Sequence, residues 1–171
     1  MNMLEGINYL RKTILFISPG PTYRPHSDVY QSRFKELSKS FAGYIFTTSS
    51  IGETFPIGDF IYLSMKSDGS KSRRIKFFFF CIWNALNLLF KRGTIDLVST
   101  YDPLSSGVIG LAISCMHRAK FAPEVNGVYT SEAEWLDIPN TLATRLKKVI
   151  YSWFIHFVLK YADGINLLFS G

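Results

Sequence analysis

Apolar positions fall into two kinds of run that alternate along the chain. Thr13-Ile-Leu-Phe-Ile-Ser18 is short, continuous and β-branched, the pattern of a strand buried on both faces. It stops in a loop from Pro19 to Pro25, which neither helix nor strand can absorb. Ser27-Asp28 then supplies a helix N-cap. Tyr30, Phe34, Leu37 and Phe41 follow at helical spacing, and Gly43 is expected to end that helix. Tyr44 to Thr48 predicts a second strand, Ser49 to Ile57 a loop, and Phe60 to Leu63 a third strand.

Beyond the Ser67-Asp-Gly-Ser70 turn, the segment from Lys71 to Arg92 has basic ends and apolar residues on every helical face. Such a helix either lies in a core or meets another apolar surface. The run Ile95 to Thr100, the turn Tyr101-Asp102-Pro103, the helix-length run Leu104 to Met116 and the run Lys120 to Val125 form a βαβ unit. That unit requires parallel strands and a right-handed crossover. Val128 to Pro139 predicts an acidic loop, and Thr141 to Tyr161 a helix. One stripe on that helix carries Leu142, Leu146, Val149, Ile150, Trp153, Phe154, Phe157, Val158 and Tyr161. Gly164 to Phe169 closes the series as a short strand. The expected class is α/β: an open, mostly parallel Rossmann-like sheet with helices on both faces, built as one domain over residues 1–171.

Charge changes this picture in two places. The net charge is +6, but Lys71 to Arg92 holds six Lys or Arg and no acid. Thr141 to Tyr161 holds Arg145, Lys147, Lys148 and Lys160, again without an acid. Basic helices suit phosphate-bearing partners or an anionic membrane surface, or they are simply solvated faces. No aromatic-basic strand motif or helix-turn-helix accompanies them, so nucleic acid is not an expected partner. Cys81 and Cys115 lie in apolar helical runs with no disulfide or metal spacing, which favours a reducing, cytoplasmic setting. The apolar run from Phe77 to Phe90 is shorter than the ~20 residues a spanning helix needs.

The candidate chemistry gathers where parallel strands end. In such sheets the ligand crevice lies outside the carboxyl ends of the strands, which places Tyr101, Asp102, Glu124 and Asn126 around it. A carboxylate there can accept a hydroxyl hydrogen bond or act as a base, or it can merely cap nearby amides. Ser18-Pro-Gly-Pro-Thr22 lacks the three glycines of a dinucleotide fingerprint, and there is no P-loop. Gly107 and Gly110 lie inside a predicted helix, where small residues permit close packing. The three histidines show no metal spacing, and no metal is expected; His26 alone sits in the loop after the first strand.

Taken together, these segments resemble the N-terminal, acceptor-side domain of the family 4 retaining glycosyltransferases, which pair two Rossmann-like domains. The resemblance rests on Ile14-Leu-Phe-Ile-Ser18 with its loop, Gln31-x-Arg33-Phe-x-Glu36-Leu37-Ser38, and Asp96-Leu-Val-x-x-Tyr-Asp102-Pro103. Glu124-Val-Asn-Gly127 and Tyr161-Ala-Asp163-Gly-Ile complete it. It departs from the family at Gly20, which is flanked by prolines, and at Asn126, where a histidine is frequent. The resemblance implies transfer of a sugar from a nucleotide-sugar to a glycan or lipid-linked acceptor. It implies an acceptor and interdomain cleft at Gly20, Tyr23, His26, Tyr101, Asp102, Glu124 and Asn126. Arg73, Arg74, Lys76, Phe77 and Trp83 are the corresponding membrane-facing candidates, for a protein peripheral to the inner face of a membrane. No resident cofactor is expected, because the nucleotide-sugar would bind a C-terminal domain absent from residues 1–171 or carried by a partner chain. The alternative is a non-catalytic α/β binding module that pairs with a separate donor-domain chain.

Overall fold

A computed structural model describes residues 11–19, 25–67, 70, 72–91, 93–126 and 141–167. Its elements follow the order β1 (Lys12–Ser18), α1 (Asp28–Leu37), β2 (Phe41–Ser49), β3 (Thr54–Ile57), β4 (Phe60–Lys66), α2 (Arg73–Phe90), β5 (Leu97–Thr100), α3 (Ser105–His117), β6 (Lys120–Val125), α4 (Leu142–Lys160) and β7 (Asn166–Leu167). The sheet runs β3-β4-β2-β1-β5-β6-β7. All pairings are parallel except the β3–β4 hairpin at one edge. Without that hairpin strand this is the doubly wound order of a Rossmann-like sheet. The chain reverses its direction of travel across the sheet between β1 and β5, which defines the switch point.

Alternation along the central strands feeds two cores. Leu15, Ile17, Tyr44, Phe46 and Val98 face α2, α3 and α4. Ile14, Phe16, Ile45, Phe60 and Tyr62 face α1 through Phe34, Tyr30 and Leu37. Among the described residues helices therefore cover both faces, three on the first and one on the second.

Two expectations are corrected. Gly43 does not end a helix: α1 stops at Leu37, and Gly43 lies within β2 opposite Ile14. A Cβ there would sit 1.8 Å from the Ile14 carbonyl oxygen, so the glycine admits the neighbouring backbone. The presumed loop from Ser49 to Ile57 contains β3, joined to β4 by the two-residue turn Gly58-Asp59, with Gly58 at φ +58°. Pro56 is tolerated because β3 is an edge strand. The helix expected over Thr141 to Tyr161 forms α4, and most of its apolar stripe faces outward. Val158 is buried, whereas Leu142, Leu146, Val149, Ile150, Trp153, Phe157 and Tyr161 remain exposed.

The α2 helix resolves the either-or left by its sequence. Phe77, Cys81, Ala85 and Leu88, spaced by four, four and three, form its buried face. Burial of Phe77 and Leu88 contributes roughly 3–6 kcal/mol before conformational entropy is counted. Ile75, Phe79, Trp83 and Phe90 stand exposed on the opposite side.

Two aspartates pin the strands at their N-terminal rim. Asp96 accepts the Thr13 N–H at 2.8 Å and Lys12 Nζ at 3.0 Å, while its own N–H donates to the Thr13 carbonyl. Asp163 repeats the arrangement on β6: it accepts the Phe121 N–H at 2.9 Å and Lys120 Nζ at 2.6 Å, and donates to the Phe121 carbonyl. Hydrogen bonding to Thr13 and Lys12 outweighs the opposing desolvation and holds Asp96 below the usual carboxylate range. For Asp163 the hydrogen bond from Lys120 leads, followed by that from Phe121. Among the described residues, no helix is long and apolar enough to cross a membrane.

Candidate functional site at the carboxyl edge of the sheet

The sheet brings the ends of β1, β5 and β6 together, and two hollows of opposite character open there. The first lies on the α1 side. Ser18, Tyr30, Arg33, Thr100, Tyr101 and Glu124 contribute to its small polar lining. Asn166, from β7, donates to Glu124 Oε1 at 3.1 Å. Burial pushes the Glu124 carboxyl above its ordinary range, and the Arg33 charge opposes that shift. Asn126 follows directly on β6 and donates through Nδ2 to the Tyr101 carbonyl. Ser18 Oγ and Asn126 Oδ1 are buried with no hydrogen-bond partner among the described residues. Each such atom costs about 1–3 kcal/mol unless something satisfies it.

The second hollow lies on the other face, between the N-terminal turn of α2, the start of α3 and the middle of α4. It is about 760 Å³ and largely apolar, with walls that include Phe77, Phe78, Leu104, Val108, Ile109 and Phe154. Arg73, Arg74, Tyr101 and Asp102 also line it. Asp102 Oδ1 accepts the Leu104 N–H at 2.7 Å, and Ser106 Oγ bonds to the Asp102 backbone. Asp102 therefore organises the turn into α3. Burial pushes its carboxyl up, against hydrogen bonds from Ser106 and Leu104 and the Arg74 charge. Close packing of α3 on the sheet depends on Gly110, where a Cβ would lie 2.3 Å from Thr100 Cγ2.

The residues expected to share one cleft, Tyr101, Asp102, Glu124 and Asn126, lie at these strand ends but divide between the two faces: Glu124 lines the polar hollow, Asp102 the apolar one and Tyr101 both, while Asn126 is tied to the Tyr101 carbonyl. Gly20 and Tyr23 lie outside the described residues. His26 is corrected: it lines neither hollow. Its Nε2 meets Glu53 Oε2 at 2.7 Å and its ring stacks on Phe55, so it clasps the β3 edge. Among the membrane-facing candidates, Arg73 and Arg74 line the apolar hollow and Lys76 is exposed. Trp83 is 67% exposed, but Phe77 is 2% exposed and belongs to the core. Sequence reasoning missed Ser18, Arg33 and Asn166 as site residues. For Ser18, its position at the end of the first strand was the available signal. Among the described residues, no cluster of His, Cys, Asp and Glu can hold a metal ion.

No protein-family model matches the chain, and no curated protein matches it. Among solved structures it is similar to a short-chain dehydrogenase/reductase variant of Serratia marcescens, at 8% identity and a TM-score of 0.40. The alignment covers 86% of this chain and 69% of that one. A likeness of this size carries no functional argument.

Proposed function

We propose that this chain is the acceptor-binding half of a retaining glycosyltransferase, moving a sugar from a nucleotide-sugar to a glycan or lipid-linked acceptor. The observation that carries the reading is two buried oxygens with no hydrogen-bond partner among the described residues, Ser18 Oγ and Asn126 Oδ1, at the strand ends by the switch point. One can both donate and accept, and the other only accepts. A polyhydroxylated ligand supplies both kinds of partner. Glu124, with one oxygen engaged by Asn166, offers its second to an acceptor hydroxyl and thereby aligns that oxygen for attack. The low local dielectric that raises the Glu124 pKa also strengthens such a bond.

The first βα turn favours an acceptor role over a donor role. Ser18-Pro-Gly-Pro-Thr22 lacks the glycine spacing that lets a helix N-terminus approach a pyrophosphate. The nucleotide-sugar is accordingly assigned to a second domain facing this edge, and the isolated chain is expected to be inactive.

Equilibrium binding to a panel of glycans and lipid-linked sugars, run beside nucleotide-sugars and NAD(P), tests this assignment. Acceptor binding that weakens in Glu124→Gln, without nucleotide binding, is the expected result. Tight nucleotide-sugar or NAD(P) binding by this chain alone, or sugar transfer by it alone, would overturn the reading.

A further inference from the structure

We propose that Arg33 makes the polar hollow on the α1 side selective for an acidic acceptor, a sugar that carries a carboxylate, as a hexuronic acid does. The inference rests on the acceptor reading above and adds to it the charge of the acceptor.

Arg33 reaches the hollow from α1 and Glu124 from β6. The guanidinium carbon of Arg33 lies 5.9 Å from the centroid of the Phe34 ring, on an exposed stretch of the helix. Among the described residues no hydrogen bond or ion pair engages that guanidinium, although it attracts the Glu124 carboxylate through space. The two groups thus act on one another without touching. A ligand held between them can meet both, with an anionic group on the guanidinium and a hydroxyl donating to the carboxylate.

Size narrows the ligand. The hollow has a volume of about 70 Å³, the share of about two water molecules in the liquid. It admits one edge of a sugar ring with its substituents, and it excludes a nucleotide. Ser18 Oγ, buried without a partner among the described residues, lines the same space and suits a second hydroxyl. Phe16 and Phe34 give the hollow an apolar wall, against which the C–H face of a pyranose can lie. A bare anion would leave both features unused.

Charge narrows it further. An arginine fork fits the oxygens of a carboxylate and of a phosphate alike. Glu124 separates the two, because its repulsion grows with the charge brought beside it. A phosphate monoester carries about −1.5 to −2 at pH 7, whereas a carboxylate carries a single charge. The carboxylate is therefore the better occupant of a site that pairs a cation with an acid.

The test uses the full chain and its Arg33→Gln variant. Because Arg33 is exposed, the variant keeps the core intact, which circular dichroism and a urea midpoint check. Titration calorimetry, backed by saturation-transfer NMR, compares methyl glucuronide, methyl glucoside, the 6-phosphate of methyl glucoside, and acetate.

The parent should bind the glucuronide about tenfold or more tightly than the glucoside, the worth of one charge-assisted pair. It should bind the phosphate ester and acetate more weakly than the glucuronide. Arg33→Gln should bring the glucuronide down to the level of the glucoside and leave the glucoside where it was. Equal binding of glucuronide and glucoside by the parent would overturn the proposal, as would a preference that survives Arg33→Gln. Tighter binding of the phosphate ester, binding of acetate as tight as that of the glucuronide, or no binding of either glycoside would overturn it too. The acceptor reading is judged separately, by the glycan and lipid-linked sugar panel and its nucleotide competitors. A chain that binds neutral glycans through Glu124 but ignores the carboxylate would keep that reading and lose this one.

Discussion

Replacing Gly110 by alanine sets two opposed terms against each other. Alanine in a helix interior is favoured over glycine by about 1 kcal/mol. On an exposed turn that term would win. Gly110, however, lies where α3 presses on the sheet, and a Cβ there would stand 2.3 Å from Thr100 Cγ2 and 2.9 Å from Phe121 Cε2. Both neighbours belong to buried side chains on adjacent strands that are held in register. Overpacking at such a site costs typically about 1–3 kcal/mol. With a closest approach this short, the upper half of that range applies, which leaves Gly110→Ala destabilised by about 1–2 kcal/mol.

Gly107→Ala is the internal control. Its Cβ would meet Val158 Cγ1 at 3.0 Å and the Asp102 carbonyl at 3.1 Å, a crowding that small shifts relieve. The two terms then nearly cancel. Urea unfolding followed by far-UV circular dichroism reads the difference. With a slope of about 2 kcal/mol/M, Gly110→Ala lowers the midpoint by about 0.5–1 M, and Gly107→Ala leaves it nearly in place. A Gly110→Ala protein as stable as the parent, or more so, would show that α3 does not sit this close to β5 and β6.

Other outcomes follow from neighbouring features. Gly43→Ala should destabilise more than Gly110→Ala, because its Cβ would meet the Ile14 backbone, which cannot rotate away; the same urea series checks this. Asp96 and Asp163 are held below the usual carboxylate range when folded, so their stabilising effect is complete at neutral pH. It fades as pH falls from about 4 through their depressed values. Asp163→Asn should therefore lower the neutral-pH midpoint and flatten its acid dependence; an unchanged slope below about pH 4 would count against the clasp. Of Cys81 and Cys115, only the exposed Cys115 should react quickly with a thiol reagent in the native protein. Burial also pushes the Cys81 thiol up, so its reaction should await urea unfolding, and rapid labelling of both would place α2 differently.

Regular alternation of apolar runs made the parallel sheet legible from sequence, with the βαβ unit around Asp102 marking the edge where the strand ends meet. The β3–β4 hairpin was harder, because Pro56 interrupts the run that precedes Gly58-Asp59 and so masks an edge strand as a loop. Periodicity located α4 but not its surroundings. It reports that a helix has an apolar stripe, not what covers it, and α4 shows most of its stripe to solvent. For α2 the apolar residues on all sides corresponded to two surfaces, one against the sheet and one outward. Position along each strand located Tyr101, Asp102, Glu124 and Asn126 at the strand ends, but not that Asp102 and Glu124 line hollows on opposite faces of the sheet. Arg33 and Asn166 come from distant segments brought beside Glu124 by the fold, and local pattern contains no trace of such meetings.

Because Asp96 and Asp163 fasten β5 to β1 and β7 to β6 at the rim away from the crevice, strand alignment is secured by one end of each pair. Residues at the other end are then free to vary with the chemistry they serve. Substitutions at Ser18, Glu124 or Asn126 can retune what is recognised while the framework stays in place, whereas changes at the two aspartates would shift every recognition group together.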